Sequence, residues 1–411
     1  MSHLRSGPRR GSRNGGNGLL PEALLIRNGV IALPAGPLCA DILCDGGRIV
    51  AIGRGLATPG AAEFDASGLT VGPGFVDVHV HGGGGHSFFT RDRAAVDAYR
   101  AWAPRNGVTA FLVSTAGRDA TATVALLEGL APAIGPGTGA EPLGFHLEGP
   151  FINPVRKGAF DASMLRPPSI AEFSRYLDAA PGLIRQVTVA PELPGAVALI
   201  HTIAASGVVP AMGHTDATAA QAREGFAAGV HHVTHLFNAM RPLHQREGGP
   251  AVAALLEDTV TCELICDGAH LAPETLQLAY RILGPSRAVI VTDNLDLAGT
   301  GEAAGRFGTQ KLAVSGAVAA RADGTIVGSV ATMDQHFRNA VSFLGVDLAT
   351  SFRLCSTNPA RVAGAQTRKG AVEVGYDADL VLLDDGLCVV ATVCGGRLAH
   401  SADQWRSVSV P

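Results

Sequence analysis

The stretch Gly74-Phe75-Val76-Asp77-Val78-His79-Val80-His81, followed by Gly82-Gly83-Gly84-Gly85, runs an apolar segment into a glycine loop with two histidines at the junction. Read as a strand over Phe75–Val80, it places His79 and His81 on one face, because side chains two residues apart in a strand point the same way. Both imidazoles can then reach one ion. Taken alone, such a pair is more readily a structural feature than a ligand set. Asp77 before it and the glycines around it, which let backbone approach a ligand closely, turn attention to the rest of the chain.

Seven further apolar runs follow: Ala110–Ser114, Leu143–Leu147, Gln186–Ala190, Val208–Met212, His231–His235, Thr261–Cys266 and Ala288–Thr292. Segments apolar at helical spacing separate them, among them Ala94–Trp102, Ala120–Leu130, Pro194–Ala205 and Pro273–Leu283. Strand and helix alternate eight times, and no glycine-rich phosphate fingerprint follows the first strand. The pattern predicts an α/β chain built on a TIM-type (β/α)8 barrel rather than an open sheet.

The flanks differ. Leu24–Ile26, Gly29–Leu33, Ile42–Cys44 and Arg48–Ile52 read as short strands, with hairpin signals at Arg27-Asn28-Gly29 and Asp45-Gly46-Gly47. A like pattern returns over Ala378–Asp384, Val389–Val393 and Gly395–Arg397. Neither end has the apolar surface to fold alone, so the two are expected to form one small β-sandwich domain from residues 19–68 and 370–411. The barrel then occupies residues 69–369, and residues 1–18, rich in Arg, Gly, Ser and Asn, read as a disordered tail.

Composition sets the limits. The 411 residues are 47% hydrophobic and 17% charged, enough for a large buried core; a barrel of about 250 residues leaves room for a minor domain. A net charge of −4 gives no reason to expect nucleic acid or a membrane as partner. Lys157, Lys311 and Lys369 are the only lysines, a bias towards Arg that a GC-rich genome explains. Seven cysteines without a C-x-x-C pair suggest buried thiols in a reducing compartment. With no signal-type apolar region near the N-terminus and no long apolar run, a cytoplasmic location is expected.

In TIM barrels the active site lies at the C-terminal ends of the strands. Those ends here carry His79 and His81, Glu148, His214, His235, Asp267 with His270, and Asp293. Glu148 by itself reads as a helix cap or a ligand, and a lone strand-end histidine as a satisfied core residue. Two histidines and a glutamate on different strands of one mouth favour ligation. Such a His/carboxylate set suits Zn²⁺, and an open coordination position makes a site catalytic. Water bound there reaches a pKa of roughly 7. Asp293, otherwise a helix N-cap, can take a proton from that water and deliver it to a leaving amine. His231 and His232 sit early in their run, away from the catalytic end. Asp216 reads as a helix cap, and His86, His201, His336 and His400 as surface or loop residues.

With these residues in hand, the chain resembles the N-acetylglucosamine-6-phosphate deacetylase family of the amidohydrolase superfamily, from about residue 20 to about residue 400. The markers, in order, are PGFVDVHVHGGGG (73–85), HLEGPFINPVRKGAF (146–160), GHTDAT (213–218), THLFNAM (234–240), DGAHL (267–271), VTD (291–293), IVGSVATMD (326–334) and TNPA (357–360). The resemblance implies a divalent metal, zinc foremost with Fe²⁺ or Mn²⁺ as alternatives, as one or two ions per subunit. It implies that Glu148, His214 and His235 hold the main ion. His79 and His81 would hold a second, with Glu148 shared, and Asp293 would be the acid/base. Ala159, Asn238, Ala239, Arg246 and His270 match positions that bind the sugar phosphate, and a guanidinium fork at Arg246 suits phosphate oxygens. The partners implied are a small amino sugar phosphate and a second copy of the chain in a homodimer. Two positions depart from the family pattern: Phe160 stands where a histidine polarises the acetyl carbonyl, and Asn294 where a small alanine follows the aspartate. Both flank the reacting amide and bear on acyl group and sugar. The related alternatives are another N-acetyl amino sugar, such as N-acetylgalactosamine 6-phosphate or a biosynthetic one, and a non-catalytic sugar-phosphate binder.

Overall fold

Eight parallel strands lie side by side in chain order: Phe75–Asp77, Val108–Ala116, Glu141–Glu148, Ile184–Val189, Val209–Met212, His232–Val233, Thr261–Ile265 and Ala288–Val291, here barrel strands 1 to 8. The computed structural model describes residues 23–116, 119–307 and 310–402; the tail expected at 1–18 lies outside them. Strands 1 and 8 close the barrel just beyond their ends, where Val80 and Asn294 pair in parallel. There the His81 amide donates to the Asn294 carbonyl at 2.8 Å and the Asp293 amide to the His79 carbonyl at 2.9 Å. The seam of the barrel therefore runs through the residues that carry the chemistry.

The alternation of a strand sorts the core into two layers. Phe111 and Val113 of strand 2 pack outward with Leu126, Leu127 and Leu130 of helix Ala120–Leu130, whereas Ala110 and Leu112 join Val76, Val78, Val289 and Val291 in a separate cluster. Beneath the mouth the buried side chains are polar: Ser114, His146, Gln186, Thr188, His232, Thr234 and Glu263. Helix Pro273–Arg287 runs past the expected end at Leu283, but Gly284, at φ 64° and ψ −174°, breaks it there. Helix Ala196–Ala205 begins two residues later than the sequence suggests.

Both chain ends join one eight-stranded sheet, in which Leu380–Leu383 pairs antiparallel with Thr70–Pro73. Its core holds Leu24, Ile26, Ile31 and Ile42 from one end and Leu380, Leu382, Val390 and Val393 from the other. The signal Arg27-Asn28-Gly29 is not a hairpin. Ala23–Leu33 is one strand with a register shift between Ile26 and Gly29, and Asn28 has φ 60°. A positive-φ residue inside a pairing strand makes a bulge, and this one lets the strand pair Ala62–Asp65 before it and Thr70–Pro73 after it. Asp45-Gly46-Gly47 is a hairpin turn, with Gly46 and Gly47 both at positive φ.

A four-stranded antiparallel meander, Ala304–Phe307, Gln310–Ser315, Val318–Ala320 and Ile326–Ser329, follows strand 8 and is absent from the sequence reading. It is tied to the mouth: the Ser329 amide donates to the Asp293 carbonyl at 2.9 Å and the Leu295 amide to the Ser329 carbonyl at 3.2 Å. No helix among the described residues is long and apolar enough to cross a membrane.

Candidate metal centre

Glu148 closes strand 3, and both its oxygens are surrounded by imidazoles. Its Oε1 lies 3.0 Å from His235 Nε2, 3.1 Å from His214 Nε2 and 3.5 Å from His79 Nε2, and its Oε2 lies 3.2 Å from His81 Nε2. Asp293 faces the second pair, with Oδ1 3.4 Å from both His79 Nε2 and His81 Nε2. Ligand atoms of Glu148, His214 and His235 all fall within 4.8 Å of one another, as do those of His79, His81 and Asp293. The structure thus brings together all six residues named as ligands or acid/base.

Three of these imidazoles are oriented from behind. His79 Nδ1 lies 2.8 Å from a Glu263 oxygen, His81 Nδ1 3.2 Å from the Ser114 carbonyl and His214 Nδ1 2.9 Å from the Arg156 carbonyl. An acceptor behind Nδ1 fixes the proton there and leaves the Nε2 lone pair aimed at the site. His79 Nε2 is buried with no hydrogen-bond partner, and the Nε2 atoms of His214 and His235 face each other at 3.0 Å. Converging lone pairs without donors fit a cation. The electrostatics agree: burial opposes charge on His79 and His81, yet Asp293 and Glu148 hold both above the ordinary histidine range, with Glu263 the largest such influence on His79. A field that favours protons there also favours a dication.

The backbone that delivers these side chains is unusual. His214, His235 and Asp293 have φ of 46°, 29° and 52°, and Phe237 and Ala239 have 74° and 50°. Left-handed conformations at non-glycine residues cost of order 1–3 kcal/mol each and cluster at functional sites. Gly158 comes so close that a Cβ there would stand 3.2 Å from His214 Cε1, and its own φ of 55° favours glycine.

The expected substrate residues are distributed around this centre. His270 donates from Nδ1 to Asp267 at 2.6 Å, and its Nε2 lies 4.0 Å from Asp293 Oδ2. The Ala159 carbonyl accepts from Gln310 of the meander at 3.4 Å, and the Ala239 carbonyl from the Thr215 amide at 3.1 Å. Half-buried Asn238 turns its amide to the Leu236 carbonyl at 3.4 Å, while Arg246 is exposed on the loop after Met240. Phe160 is 4% exposed; its ring meets His214 edge-on at 5.2 Å and packs with Ile152, Phe89, Leu165 and Phe307. Asn294 is buried, and its Oδ1 has no partner.

Two sequence readings are corrected here. Asp216 caps nothing: Thr218 caps the next helix, and Asp216 pairs with Arg156 at 2.8 Å and Arg241 at 2.7 Å. His336 is fully buried in a helix, not on the surface. His232 does open strand 6, away from the catalytic end as read, but it is not idle, because its Nε2 donates to Glu263 at 3.0 Å. Glu263 itself was missed. Its signal was a lone charge inside the apolar run Thr261–Cys266.

The amidohydrolase family model matches residues 70–399. N-acetylglucosamine-6-phosphate deacetylase of Bacillus subtilis is 37% identical over 339 residues, 81% of this chain and 86% of the relative. N-acetylgalactosamine-6-phosphate deacetylase of Escherichia coli O157:H7 is 32% identical over 328 residues, 80% and 87% of the two chains. Among solved structures, a mutant N-acetyl-D-glucosamine-6-phosphate deacetylase from Mycobacterium smegmatis, in complex with N-acetyl-D-glucosamine-6-phosphate, superposes with a TM-score of 0.87 at 35% identity, covering 92% of this chain and all of that one. The Pasteurella multocida deacetylase gives 0.85 at 26% identity, covering 92% and 99%. With strand ends, folded ends and relatives in agreement, the chain belongs to the N-acetylglucosamine-6-phosphate deacetylase family of the amidohydrolases.

Proposed function

We propose that this protein hydrolyses the N-acetyl group of N-acetylglucosamine 6-phosphate, giving glucosamine 6-phosphate and acetate. The observation that carries the reading is Glu148, set between two histidine pairs with Asp293 opposite. Glu148, His214 and His235 would hold the main ion, and His79 and His81 a second that shares Glu148; zinc suits these donors best, with Fe²⁺ or Mn²⁺ as alternatives. When bound, the metal supplies Lewis acidity for the amide carbonyl and a water nucleophile near neutral pH.

The chain's own residues do the rest. Burial pushes the Asp293 carboxyl up, but in the metal-free chain charge on His79 and the hydrogen bond from His81 hold it below its ordinary value, and a cation in place of those protons would act in the same direction. Asp293 is thereby ionised and ready to accept the proton of the attacking water. As the C–N bond breaks, that proton passes to the leaving nitrogen, an amine that departs poorly unless protonated. His270 sits beside Asp293, its Nε2 4.0 Å from Oδ2. Asn238, Ala239 and Ala159 would contact the sugar, and Arg246 would take the phosphate. Phe160 has no donor for the carbonyl oxygen, so a second ion held by His79 and His81 would supply more of that Lewis acidity. A cytoplasmic setting belongs to the same reading, supported by seven cysteines that form no disulfide.

The Escherichia coli relative favours a second reading, in which the sugar is the galactosamine epimer. Acetate release from a panel of acetylated amino sugars, with and without 6-phosphate, tests both. The first reading expects the highest kcat/KM on N-acetylglucosamine 6-phosphate. A preference for the galacto epimer would replace it, and indifference to phosphate would defeat both.

A further inference from the structure

Glu263 is fully buried in strand 7, inside the barrel and below the proposed metal centre. Four N–H donors converge on its carboxylate. Oε1 receives Gln186 Nε2 at 3.1 Å and His232 Nε2 at 3.0 Å. Oε2 receives His79 Nδ1 at 2.8 Å and the backbone amide of His235 at 2.9 Å. A carboxylate offers about four acceptor sites, so this one is saturated. Its partners come from strands 4 and 6 and from the segments just beyond strands 1 and 6.

We propose that Glu263 is a positioning residue that presets His79 and His235 together for metal binding; this rests on reading those histidines as ligands. Two features set it apart from an ordinary buried carboxylate. One oxygen fixes both the tautomer of one ligand and the backbone of another, so the two halves of the centre share a single reference point. The other oxygen is held by Gln186 and by His232, whose Nδ1 lies 2.7 Å from Thr261 Oγ1, so Glu263 cannot turn away from the site. An acceptor behind a ligating imidazole also raises its basicity as a ligand, and losing such a partner typically weakens metal affinity about 10–100-fold.

Glu263→Gln tests this in the full chain. The backbone N–H of His235 cannot become an acceptor, so the new amide must point its NH₂ at Gln186 and His232, which can flip and change tautomer. The His79 side then keeps an oxygen but loses the charge. Zinc affinity by chelator competition is expected to fall 10–100-fold, with acetate release restored by excess zinc and the metal-free melting temperature little changed. Unaltered zinc affinity beside a His235→Ala variant that no longer binds zinc would overturn the positioning role and leave the metal centre standing. Zinc binding by His235→Ala at the natural affinity would overturn the ligand reading and this role with it. Should Glu263→Gln fail to fold, nitrogen-15 spectra of the zinc-loaded natural chain decide: a proton on His79 Nδ1 supports the role, and one on Nε2 overturns it.

Discussion

Strand 3 begins and ends with a buried glutamate, and the two ends could hardly be treated more differently. Glu141, at the sheet end, meets Arg368 at 2.6 Å and Lys369 at 2.8 Å. Those cations also bind Asp377 and Asp379, and the cluster ties the barrel to the sheet formed by both chain ends. Glu148, at the mouth, is paired with four histidines. Fixed cations answer the first carboxylate, and the second is left to whatever the histidines can hold. A buried charge with its own counter-ions is a structural joint, and one ringed by oriented lone pairs is a site awaiting a cation.

That contrast can be broken most severely at Glu148. Glu148→Gln or His235→Ala should abolish tight metal binding and turnover together; metal analysis alongside acetate release checks both, and an active, metal-free His235→Ala would remove the distinction between the two ends. Next in size is Asp293→Asn, expected to keep the metal and lose on the order of 10²–10⁴-fold in kcat, the usual contribution of acid/base catalysis. A near-normal rate would move proton transfer to another group, with His270 the neighbour to examine.

Arg246→Ala should be milder. A charge-assisted hydrogen bond is worth roughly 1.5–3 kcal/mol, so KM for the phosphorylated sugar should rise by about 10–100-fold while unphosphorylated sugars are little affected. Equal losses on both would place phosphate recognition elsewhere.

At the other end of strand 3, Lys369→Met should leave kcat unchanged and cost about 3–5 kcal/mol of stability, because buried carboxylates lose their partner. The pH dependence sharpens this. Burial opposes ionisation of Glu141, but Arg368 and Lys369 hold its carboxyl below the ordinary range. The stability it contributes is therefore present above that range and is lost as pH falls through the folded-state value. Asp379 has the opposite sign, since burial pushes it up despite Lys369. Glu141 should dominate, as two cations face it. Lys369 favours the ionised form of both carboxyls, so the melting-temperature gap between natural chain and Lys369→Met should narrow on acidification from pH 7 towards 3; a gap that stays constant or widens would show that Lys369 does not stabilise these carboxylates.

The same contrast explains what could be read from the sequence. His79, His81, Glu148, His214, His235 and Asp293 stood out because a barrel gathers its strand ends at one face, so position along each run was enough. The joint at Glu141 was hidden, since Arg368 lies 227 residues away and no periodicity links the two. Glu263 was obscured for another reason: a carboxylate in mid-strand faces the barrel interior, and only the packing shows that its neighbours are ligands. Asn28-Gly29 carries the same turn chemistry in a bulge as in a hairpin, and pairing with two partner strands decided between them. The meander over Ala304–Ser329 went unread because its strands are short and lean on the mouth for support.

Metal titration tests the central claim most directly. Chelator-stripped natural chain is loaded with zinc stepwise, while bound ions per chain and acetate released from N-acetylglucosamine 6-phosphate are followed together, beside Phe160→His. The account predicts no turnover in the stripped chain, full activity only as the second ion binds, and less dependence on that ion when histidine replaces Phe160. Turnover in the stripped chain, or full activity with one ion and a harmless His79→Ala, would contradict it.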